Sequence, residues 1–300
     1  GHKAMANISI ISGMNDIIDR YDGFIFDVWG VLHDGLSVFD GTVDVLETLA
    51  TKDKQVVLLT NSPNRMHQIA QKLENMGIKR SLYKTIVSSG EAAYRALTER
   101  TDPFHASCGT KCFHMGDDVF MQALYDAAEA GAIEIVNSPQ EAEFVCVSNP
   151  RGMHLDTDYL QKELEDMLER DMPLICLNPD VVVRIGDELY PCGGGITDQY
   201  AEMGGRTYYH GKPHNPVYET AHHLLGVQDK SKILAVGDSI RTDVTGGRNY
   251  GIDVAFNLPG IHWHDLTEPM KGDVLCQERL SSLIEGADVK PTYLINGFAL

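Results

Sequence analysis

Short apolar runs alternate with longer amphipathic stretches along the whole chain of 300 residues. Short apolar runs predict strands, and stretches in which apolar residues recur every three or four positions predict helices. The predicted strands cover residues 24–27, 55–59, 144–148, 173–177, 232–236 and 252–256. The predicted helices cover residues 41–52, 64–77, 90–100, 117–131, 156–170, 215–226 and 276–286.

Strands that are apolar throughout and are separated by helices are typical of parallel sheets with helices on both faces. We therefore expect an α/β fold with a three-layer, Rossmann-like parallel sheet core. Two polar or glycine-rich stretches, residues 98–110 and 192–209, flank a self-contained α/β segment. This arrangement predicts a second α/β domain inserted into the first.

Composition and charge restrict the class of partner. Hydrophobic residues make up 43% of the chain and charged residues 23%, which is ordinary for a globular protein. The formal net charge of -18 argues against a nucleic-acid partner, because no basic stripe is available to neutralise phosphates. No apolar run is long enough to span a membrane, and no signal peptide is evident, so a cytoplasmic location is expected. A small anionic substrate would need a local cation, and a metal ion would supply one.

The six cysteines are scattered along the chain, which favours reduced thiols over a disulfide framework. Cys146 and Cys176 lie in predicted strands and are interpreted as small core residues. Cys108 and Cys112 are followed by His114, but no second ligand pair has matching spacing. The sequence therefore disfavours a zinc site there.

Polar residues follow several predicted strands at the point where each strand ends. Asp27 ends the first, Thr60 and Asn61 end the run at 55–59, and Asp238 follows the run at 232–236. In open parallel sheets, ligands bind at the carboxyl ends of the strands. These residues are thus expected to meet at one rim.

Each of these residues also has a simple structural interpretation. An acid after a strand is often a turn former or a helix N-cap, and Thr60 could cap the helix that follows it. Lys212, in a turn before a helix, could be an ordinary surface lysine. The order of all four elements along the chain makes a shared site the better interpretation.

The order of these residues and the motif sequences around them resemble those of the HAD (haloacid dehalogenase-like) hydrolase superfamily. The matching motifs are "FDVWGVL" at 26–32, "LLTN" at 58–61, "GKPHNPVYE" at 211–219 and "GDSIRTD" at 237–243. The long insertion contains "LNPDVVVRIG" and resembles the type IIA cap of the sugar-phosphatase and nitrophenyl-phosphatase branch. The resemblance covers nearly the whole chain. It implies a hydrolase core at residues 5–100 and 206–300 and an inserted α/β cap domain at residues 101–205.

The resemblance also implies catalytic roles. Asp27 would be the nucleophile that attacks phosphorus and forms an aspartyl-phosphate. Thr60 would donate a hydrogen bond to the transferring phosphoryl oxygens, and Lys212 would neutralise their charge. The implied reaction is hydrolysis of a small phosphorylated metabolite, such as a sugar phosphate or a related phosphomonoester.

The same resemblance implies a magnesium site. Asp27, the backbone carbonyl of Trp29 and Asp238 would hold Mg²⁺, a hard ion that prefers oxygen ligands. Asp243 would act in the outer shell, orienting water or Lys212. Together with Lys212, the ion would make one positive pocket on a negative surface.

Substrate-binding candidates are Asn61 in the core and Asn178, Asp180 and Arg184 in the cap. In the branch that the chain resembles, the loop matching residues 178–180 and the segment after it face the active site. A plain turn at residues 179–180 is the alternative interpretation.

The sequence gives weaker indications for three histidines, His33, His262 and His264. His262 and His264 alternate with Trp263, which disfavours a metal site there because the core already supplies metal-binding acids. His33 could serve as a substitute acid, although a structural histidine is the favoured interpretation.

Trp29 departs from the pattern of the superfamily, whose phosphatases usually carry a second Asp at this position. That Asp protonates the leaving oxygen, and an indole has negligible acidity. Losing such an acid costs about two to four orders of magnitude in rate. The sequence leaves three hypotheses: a Mg²⁺-dependent phosphatase, a dehalogenase-like hydrolase, and a non-catalytic protein that binds phosphometabolites. A homodimer is also compatible with the sequence.

Overall fold

The computed structural model describes residues 8–150, 157–268 and 274–300. The strands are β1 Ser9–Ile11, β2 Gly23–Phe26, β3 Gln55–Thr60, β4 Thr85–Ser88, β5 Lys111–Met115, β6 Glu134–Val136, β7 Phe144–Val147, β8 Leu174–Cys176, β9 Val182–Ile185, β10 Glu188–Pro191, β11 Thr207–Tyr209, β12 Ile233–Gly237, β13 Asp253–Asn257, β14 Thr267–Glu268, β15 Val274–Leu275 and β16 Tyr293–Ile295. The α-helices are α1 Thr42–Thr51, α2 Met66–Asn75, α3 Ser89–Glu99, α4 Pro103–Ala106, α5 Gln122–Glu129, α6 Thr157–Glu169, α7 Gly193–Glu202, α8 Asn215–Leu225, α9 Thr245–Tyr250, α10 Trp263–Leu266 and α11 Gln277–Gly286. None of these described helices combines the length and the apolar composition needed to cross a membrane.

The larger sheet contains seven strands in the order β1-β16-β13-β12-β2-β3-β4, and every neighbouring pair is parallel. The chain moves outward from β2 to β3 and β4, and later adds β12 on the other side of β2. The strand order therefore reverses between β2 and β12, which is where open α/β sheets bind their ligands.

Alternating side chains of β2 point to the two faces of this sheet. Phe24 and Phe26 pack on one face with apolar residues of α1 and α2, and Ile25 packs on the other with residues of α8 and α11. The sheet thus separates two buried apolar clusters. The predicted three-layer α/β architecture with a parallel core is confirmed.

A second parallel sheet has the order β11-β8-β7-β5-β6 and is also covered on both faces. Residues of α3 and α5 pack on one face, and residues of α6 and α7 pack on the other. The strands β9 and β10 form a separate antiparallel hairpin. The additional α/β unit expected from the sequence is therefore present.

The predicted strands all occur, but several observed strands were not predicted. β5 alternates buried and more exposed residues, and in β9 one residue is exposed and three are half-buried, so neither produces a continuous buried apolar run. The predicted helix at 117–131 was too long: α5 begins at Gln122, because Asp117 instead caps a short 3-10 turn by accepting a hydrogen bond from Val119 N. The predicted start of the helix at 156–170 lies outside the described residues, and α6 is described from Thr157.

The glycine cluster interpreted as part of a boundary instead begins α7 at Gly193. A Cβ at Gly194 would collide with the backbone oxygen of Pro179, so glycine permits the close approach of this helix to the loop after β8. β11, at Thr207–Tyr209, belongs to the second sheet although it follows residue 205. The division into residues 5–100 and 206–300 against 101–205 stays a proposal, and residues 5–7 lie outside the described chain.

Candidate active site

The acidic residues of the site are placed by the two central strands of the larger sheet. Asp27 follows β2 directly and Asp238 follows β12, its neighbour in the sheet. Thr60 is the last residue of β3, on the other side of β2. The side chains predicted from strand ends therefore meet in one cleft, lined by Asp27, Thr60 and Asp238.

Lys212 is buried between two carboxylates. Its Nζ lies 3.1 Å from Asp27 Oδ1 and donates to Asp243 Oδ1 at 2.8 Å and to the Leu59 carbonyl oxygen at 3.0 Å. Burial alone would lower the pKa of Lys212, but Asp243 and Asp27 raise this pKa well above its usual value. The ammonium group is thus a fixed positive charge next to Asp27.

Asp243 is held by the backbone as well as by the lysine. Its Oδ2 accepts hydrogen bonds from Asp238 N at 3.1 Å and Ser239 N at 3.2 Å, and its Oδ1 accepts the bond from Lys212. Both carboxylate oxygens are therefore engaged by protein donors. This geometry favours an orienting role for Asp243 over direct coordination of an ion.

Asp27, Asp238 and Asp243 bring three carboxylates together, with one oxygen of each lying within 4.8 Å of the others. Burial and the charge of Asp243 raise the pKa of Asp27 well above its usual value and raise that of Asp238 to about 7. One lysine does not balance this cluster, and oxygen ligands suit a hard divalent cation. The donor set fits Mg²⁺.

The turn after Asp27 brings its backbone against Asp238. Gly30 has a φ of +85°, and a Cβ at this position would collide with the Asp238 carboxylate. The backbone of Trp29 therefore lies beside the carboxylate cluster. This placement suits the expected contribution of its carbonyl oxygen to a metal site.

Thr60 and Asn61 differ in what they face. Thr60 lines the cleft, and its Oγ1 accepts a hydrogen bond from Ser62 N at 3.2 Å. Asn61 lies behind the cleft: its side chain accepts from Lys212 N at 2.8 Å and donates to the Lys212 carbonyl oxygen at 3.0 Å. The structure thus favours positioning of Lys212 over substrate contact as the role of Asn61.

Asn178 and Asp180 lie in the loop between β8 and β9 and line the cleft. Asn178 donates to Asn149 Oδ1 at 2.8 Å and accepts from Asp180 N at 3.0 Å, which is a turn-stabilising bond. Asp180 accepts from Asn61 Nδ2 at 3.0 Å, and burial raises its pKa. The loop is therefore both a turn and a part of the cleft wall, and Asp180 connects it to the loop that carries Lys212.

Trp29 links the larger sheet to the hairpin of β9 and β10. Its indole Nε1 donates to the carbonyl oxygen of Arg184 at 2.7 Å, and the Lys72 ammonium lies 4.3 Å from the centre of its ring. Gly186 N, in the turn of the same hairpin, donates to the Asp34 carbonyl oxygen at 3.3 Å. Arg184 thus meets Trp29 through its backbone, and its side chain lines the cleft.

Sequence reasoning did not identify Lys72 or Arg241 as parts of the cleft wall. Lys72 is one of two charged residues on α2, and nothing in its spacing predicts a place in the cleft. Arg241 Nη1 donates to the Pro179 carbonyl oxygen at 2.8 Å and Nη2 to Asp198 Oδ2 at 3.1 Å, joining the loop after β12 to the cap segment. The partners of Arg241 are distant in sequence, so no local signal could have revealed them.

The histidine alternatives are not supported as catalytic or metal-binding groups. His33 is buried, its Nδ1 accepts from Gly35 N at 2.9 Å, and burial together with the charge of Lys72 lowers its pKa to about 4. His262 Nε2 accepts from Ile240 N at 3.2 Å. Among residues 8–150, 157–268 and 274–300, only the three aspartates form a cluster of metal-ligating groups.

Comparisons with known proteins agree with this geometry. Residues 24–131 match the family of haloacid dehalogenase-like hydrolases, and residues 209–280 match a second family described as HAD-hydrolase-like. An acid sugar phosphatase of Staphylococcus aureus is 25% identical over 245 residues, covering 81% of this chain and 88% of that protein.

Solved structures show the same likeness. A crystal structure of a haloacid dehalogenase-like hydrolase from Brucella suis has a TM-score of 0.79 and 28% identity, covering 97% of this chain and all of that one. A p-nitrophenyl phosphatase from Archaeoglobus fulgidus has a TM-score of 0.69 and 24% identity, covering 93% and 97% of the two chains. The second likeness supports the fold alone.

Proposed function

This chain belongs to the haloacid dehalogenase-like hydrolases, and we propose that it is a Mg²⁺-dependent phosphatase of small phosphorylated metabolites. The observation that carries the proposal is the position of Lys212, whose buried ammonium group lies between Asp243 and Asp27, the carboxylate that lines the cleft. A fixed positive charge beside a buried carboxylate suits the transfer of an anionic phosphoryl group to that carboxylate. The acid sugar phosphatase among its relatives supports the same reaction class.

Two steps complete the proposed reaction. A carboxylate oxygen of Asp27 bonds to phosphorus, and the ester P–O bond breaks so that the alcohol oxygen leaves with the bonding electron pair. Water then attacks the phosphorus of the aspartyl-phosphate, releases inorganic phosphate and restores the Asp27 carboxylate. Thr60 and Lys212 bind the phosphoryl oxygens, while Asp243 holds Lys212 in place.

Asp27, the Trp29 carbonyl and Asp238 would hold Mg²⁺, with Asp243 in the outer shell. When bound, the ion neutralises negative charge on the phosphoryl oxygens. Asp238 is kept in position by Ile261 N, which donates to its Oδ2 at 2.8 Å. Since the protein carries a net charge of -18, the ion and Lys212 would together supply the local positive charge that an anionic substrate needs.

The cap segment, residues 101–205, would contribute Asp180, Arg184 and Asn178 to the part of the cleft that receives the alcohol portion of the substrate. We also propose a cytoplasmic location for the protein. A dehalogenase-like reaction is less well supported, because dehalogenases of the superfamily lack the metal-binding pattern that Asp238 and Asp243 supply.

The test is a hydrolysis assay with acetyl phosphate and p-nitrophenyl phosphate, in Mg²⁺ and in EDTA. Both substrates should be cleaved only with the metal, and Asp27→Asn should lower kcat by about 1,000-fold or more, since the nucleophile is lost. Asp19→Asn, a change of an exposed carboxylate outside the cleft, is the matched control and should leave kcat unchanged.

Brief incubation with acetyl phosphate should also place one phosphoryl group on the peptide that contains Asp27. Turnover of these phosphates that persists in EDTA would contradict the proposed dependence on Mg²⁺. Full activity in Asp27→Asn would contradict the proposed nucleophile.

A further inference from the structure

The cleft has a volume of about 770 Å³, large enough for a substrate much bigger than its phosphoryl group. Asp27 and Asp238 line it, with Lys212 buried beside Asp27, and its outer walls come from the hairpin of β9 and β10 and the turn at Asp118–Phe120. The walls therefore contact the alcohol portion of a bound phosphomonoester. Their chemistry indicates what that portion is.

Large apolar side chains dominate these walls. Those that line the cleft include Trp29, Val119, Phe120, Val182, Ile185 and Trp263. Val119 is 65% exposed and Val182 is 37% exposed, so part of this apolar surface faces solvent when no ligand is bound. Exposed apolar patches that line a cleft commonly mark the place of an apolar ligand.

Most polar side chains of the walls are engaged by the protein itself, although Arg184 Nε is buried without a hydrogen-bond partner among the described residues. Asn178 bonds to Asn149 and to the backbone of Asp180, and Arg241 bonds to the Pro179 carbonyl and Asp198. A site that selects a sugar needs polar groups aimed at the hydroxyls, because an unpaired hydroxyl in an apolar pocket loses its hydration without compensation.

We infer that this cleft selects phosphomonoesters whose alcohol portion is largely apolar, either aromatic or alicyclic, over sugar phosphates of the same size. The inference rests on the proposed phosphatase function and names the substrate class of the same site. It concerns how the walls bind the alcohol portion, and it is separate from the effect of leaving-group acidity on the chemical step.

The test uses two pairs of substrates that differ in polarity but are closely matched in leaving group. One pair is 4-propylphenyl phosphate and 4-(2-hydroxyethyl)phenyl phosphate, and the other is cyclohexylmethyl phosphate and glucose 6-phosphate. In each pair kcat/KM should be higher for the apolar member, by about fivefold or more for the first pair and about tenfold or more for the second. Acetyl phosphate, too small to reach the outer walls, reports on the phosphoryl-transfer chemistry alone.

A double variant, Val119→Thr with Val182→Thr, keeps the shape of both side chains and makes the walls more polar. It should lower the preference for the apolar member of each pair by about threefold or more. Val274→Thr changes a valine that is 61% exposed outside the cleft, and it should leave the preference unchanged.

Hydrolysis of acetyl phosphate together with equal or better use of the polar members would overturn the inference while the proposed function stands. A preference that the double variant does not change would also overturn it, since the walls would then not be its source. If no phosphate, including acetyl phosphate, is cleaved in Mg²⁺, the proposed function fails and the inference fails with it.

Discussion

At the scale of single residues, Trp29 has two consequences that follow from the same side chain. Its indole cannot protonate a leaving oxygen, and the indole N–H is already bonded to the Arg184 carbonyl oxygen. The proposed reaction must then expel the alcohol oxygen as an anion. Trp29, which stands where the superfamily usually has the acid, therefore also bonds the hairpin of β9 and β10 to the segment that follows β2.

The first prediction is a steep dependence of kcat on leaving-group acidity. Aryl and acyl phosphates should be cleaved at least about 100-fold faster than alkyl phosphates, because the missing acid matters most for poor leaving groups. Trp29→Asp should raise turnover of alkyl phosphates more than that of aryl phosphates. Trp29→Phe also removes the bond to Arg184 but adds no acid, so it serves as the matched control. If kcat of the unmodified enzyme did not depend on leaving-group acidity, another acid would already protonate the leaving oxygen.

The second prediction separates positioning from substrate contact at Asn61. Asn61→Ala removes the bonds to both backbone groups of Lys212 and to Asp180, so the lysine loop should lose its fixed position. We expect kcat to fall by about 10- to 100-fold for acetyl phosphate and for larger substrates alike, with little change in KM. A fall in kcat confined to the larger substrates would instead indicate that Asn61 contacts the substrate.

Sequence reasoning succeeds and fails at this scale for clear physical reasons. Asp27 and Asp238 could be placed together because a parallel sheet brings the ends of its strands to one edge. The contact of Trp29 with Arg184 joins residues 155 positions apart, through a backbone atom that carries no side-chain signal. Asn61 follows β3 directly, and its place in the chain does not reveal that its side chain bonds to the backbone of Lys212, 151 positions away.

At the scale of elements, continuous apolar strands were predictable and half-exposed ones were not. β2 and β12 are buried throughout, whereas β9 forms part of a cleft wall and is mostly half-buried. α7 was missed because it begins with three glycines, which disfavour a helix by propensity. The close approach of α7 to the loop at Pro179 requires a residue without a side chain at Gly194. This packing requirement outweighs the low helix propensity of glycine.

The third prediction concerns a buried histidine in β5. His114 Nε2 lies 2.7 Å from Ser148 Oγ, and burial lowers the pKa of His114 to about 4 from 6.5. In the unfolded chain the imidazole takes up a proton below about pH 6.5, whereas in the folded state it stays neutral until about pH 4. This histidine therefore contributes stability that is complete above pH 6.5 and is lost as the pH falls toward 4.

Between about pH 7 and about pH 5, the loss from His114 should be roughly 2 kcal/mol in the free energy of unfolding. His114→Gln keeps a polar group near Ser148 but does not titrate. Between these two pH values, the unfolding free energy of the variant should therefore fall by roughly 2 kcal/mol less than that of the unmodified protein. The measurement is urea unfolding at both pH values, with His67→Gln, a change of an exposed histidine, as control. Equal pH dependence in His114→Gln and the unmodified protein would show that His114 titrates normally.

At the scale of the whole molecule, residues that follow strands of both sheets line the cleft. Asp180 joins the cap loop to the lysine loop through Asn61, Arg241 reaches the Pro179 carbonyl, and Trp29 reaches the hairpin. These bonds connect the specificity walls to the residues that would transfer the phosphoryl group. A substrate bound between these walls would lie in the same cleft as Asp27.

The fourth prediction follows from the charge of the molecule. With a net charge of -18 and three carboxylates clustered at Asp27, Asp238 and Asp243, folding without a cation concentrates negative charge that the unfolded chain spreads out. An ion that binds only the folded state stabilises it by about 1.4 kcal/mol at ten times its Kd. Mg²⁺ should therefore raise Tm by roughly 2 to 5 °C.

General screening by salt would also raise Tm in so acidic a protein, so the comparison must be made against NaCl at equal ionic strength. Asp238→Asn should remove the part of the shift that is specific to Mg²⁺, because it loses a ligand, while Asp19→Asn should retain it. Isothermal titration with Mg²⁺ should show the same pattern without requiring any substrate. An identical Tm in Mg²⁺ and in matched NaCl, or a shift retained in Asp238→Asn, would contradict a magnesium site at this cluster and leave Lys212 as its only cation.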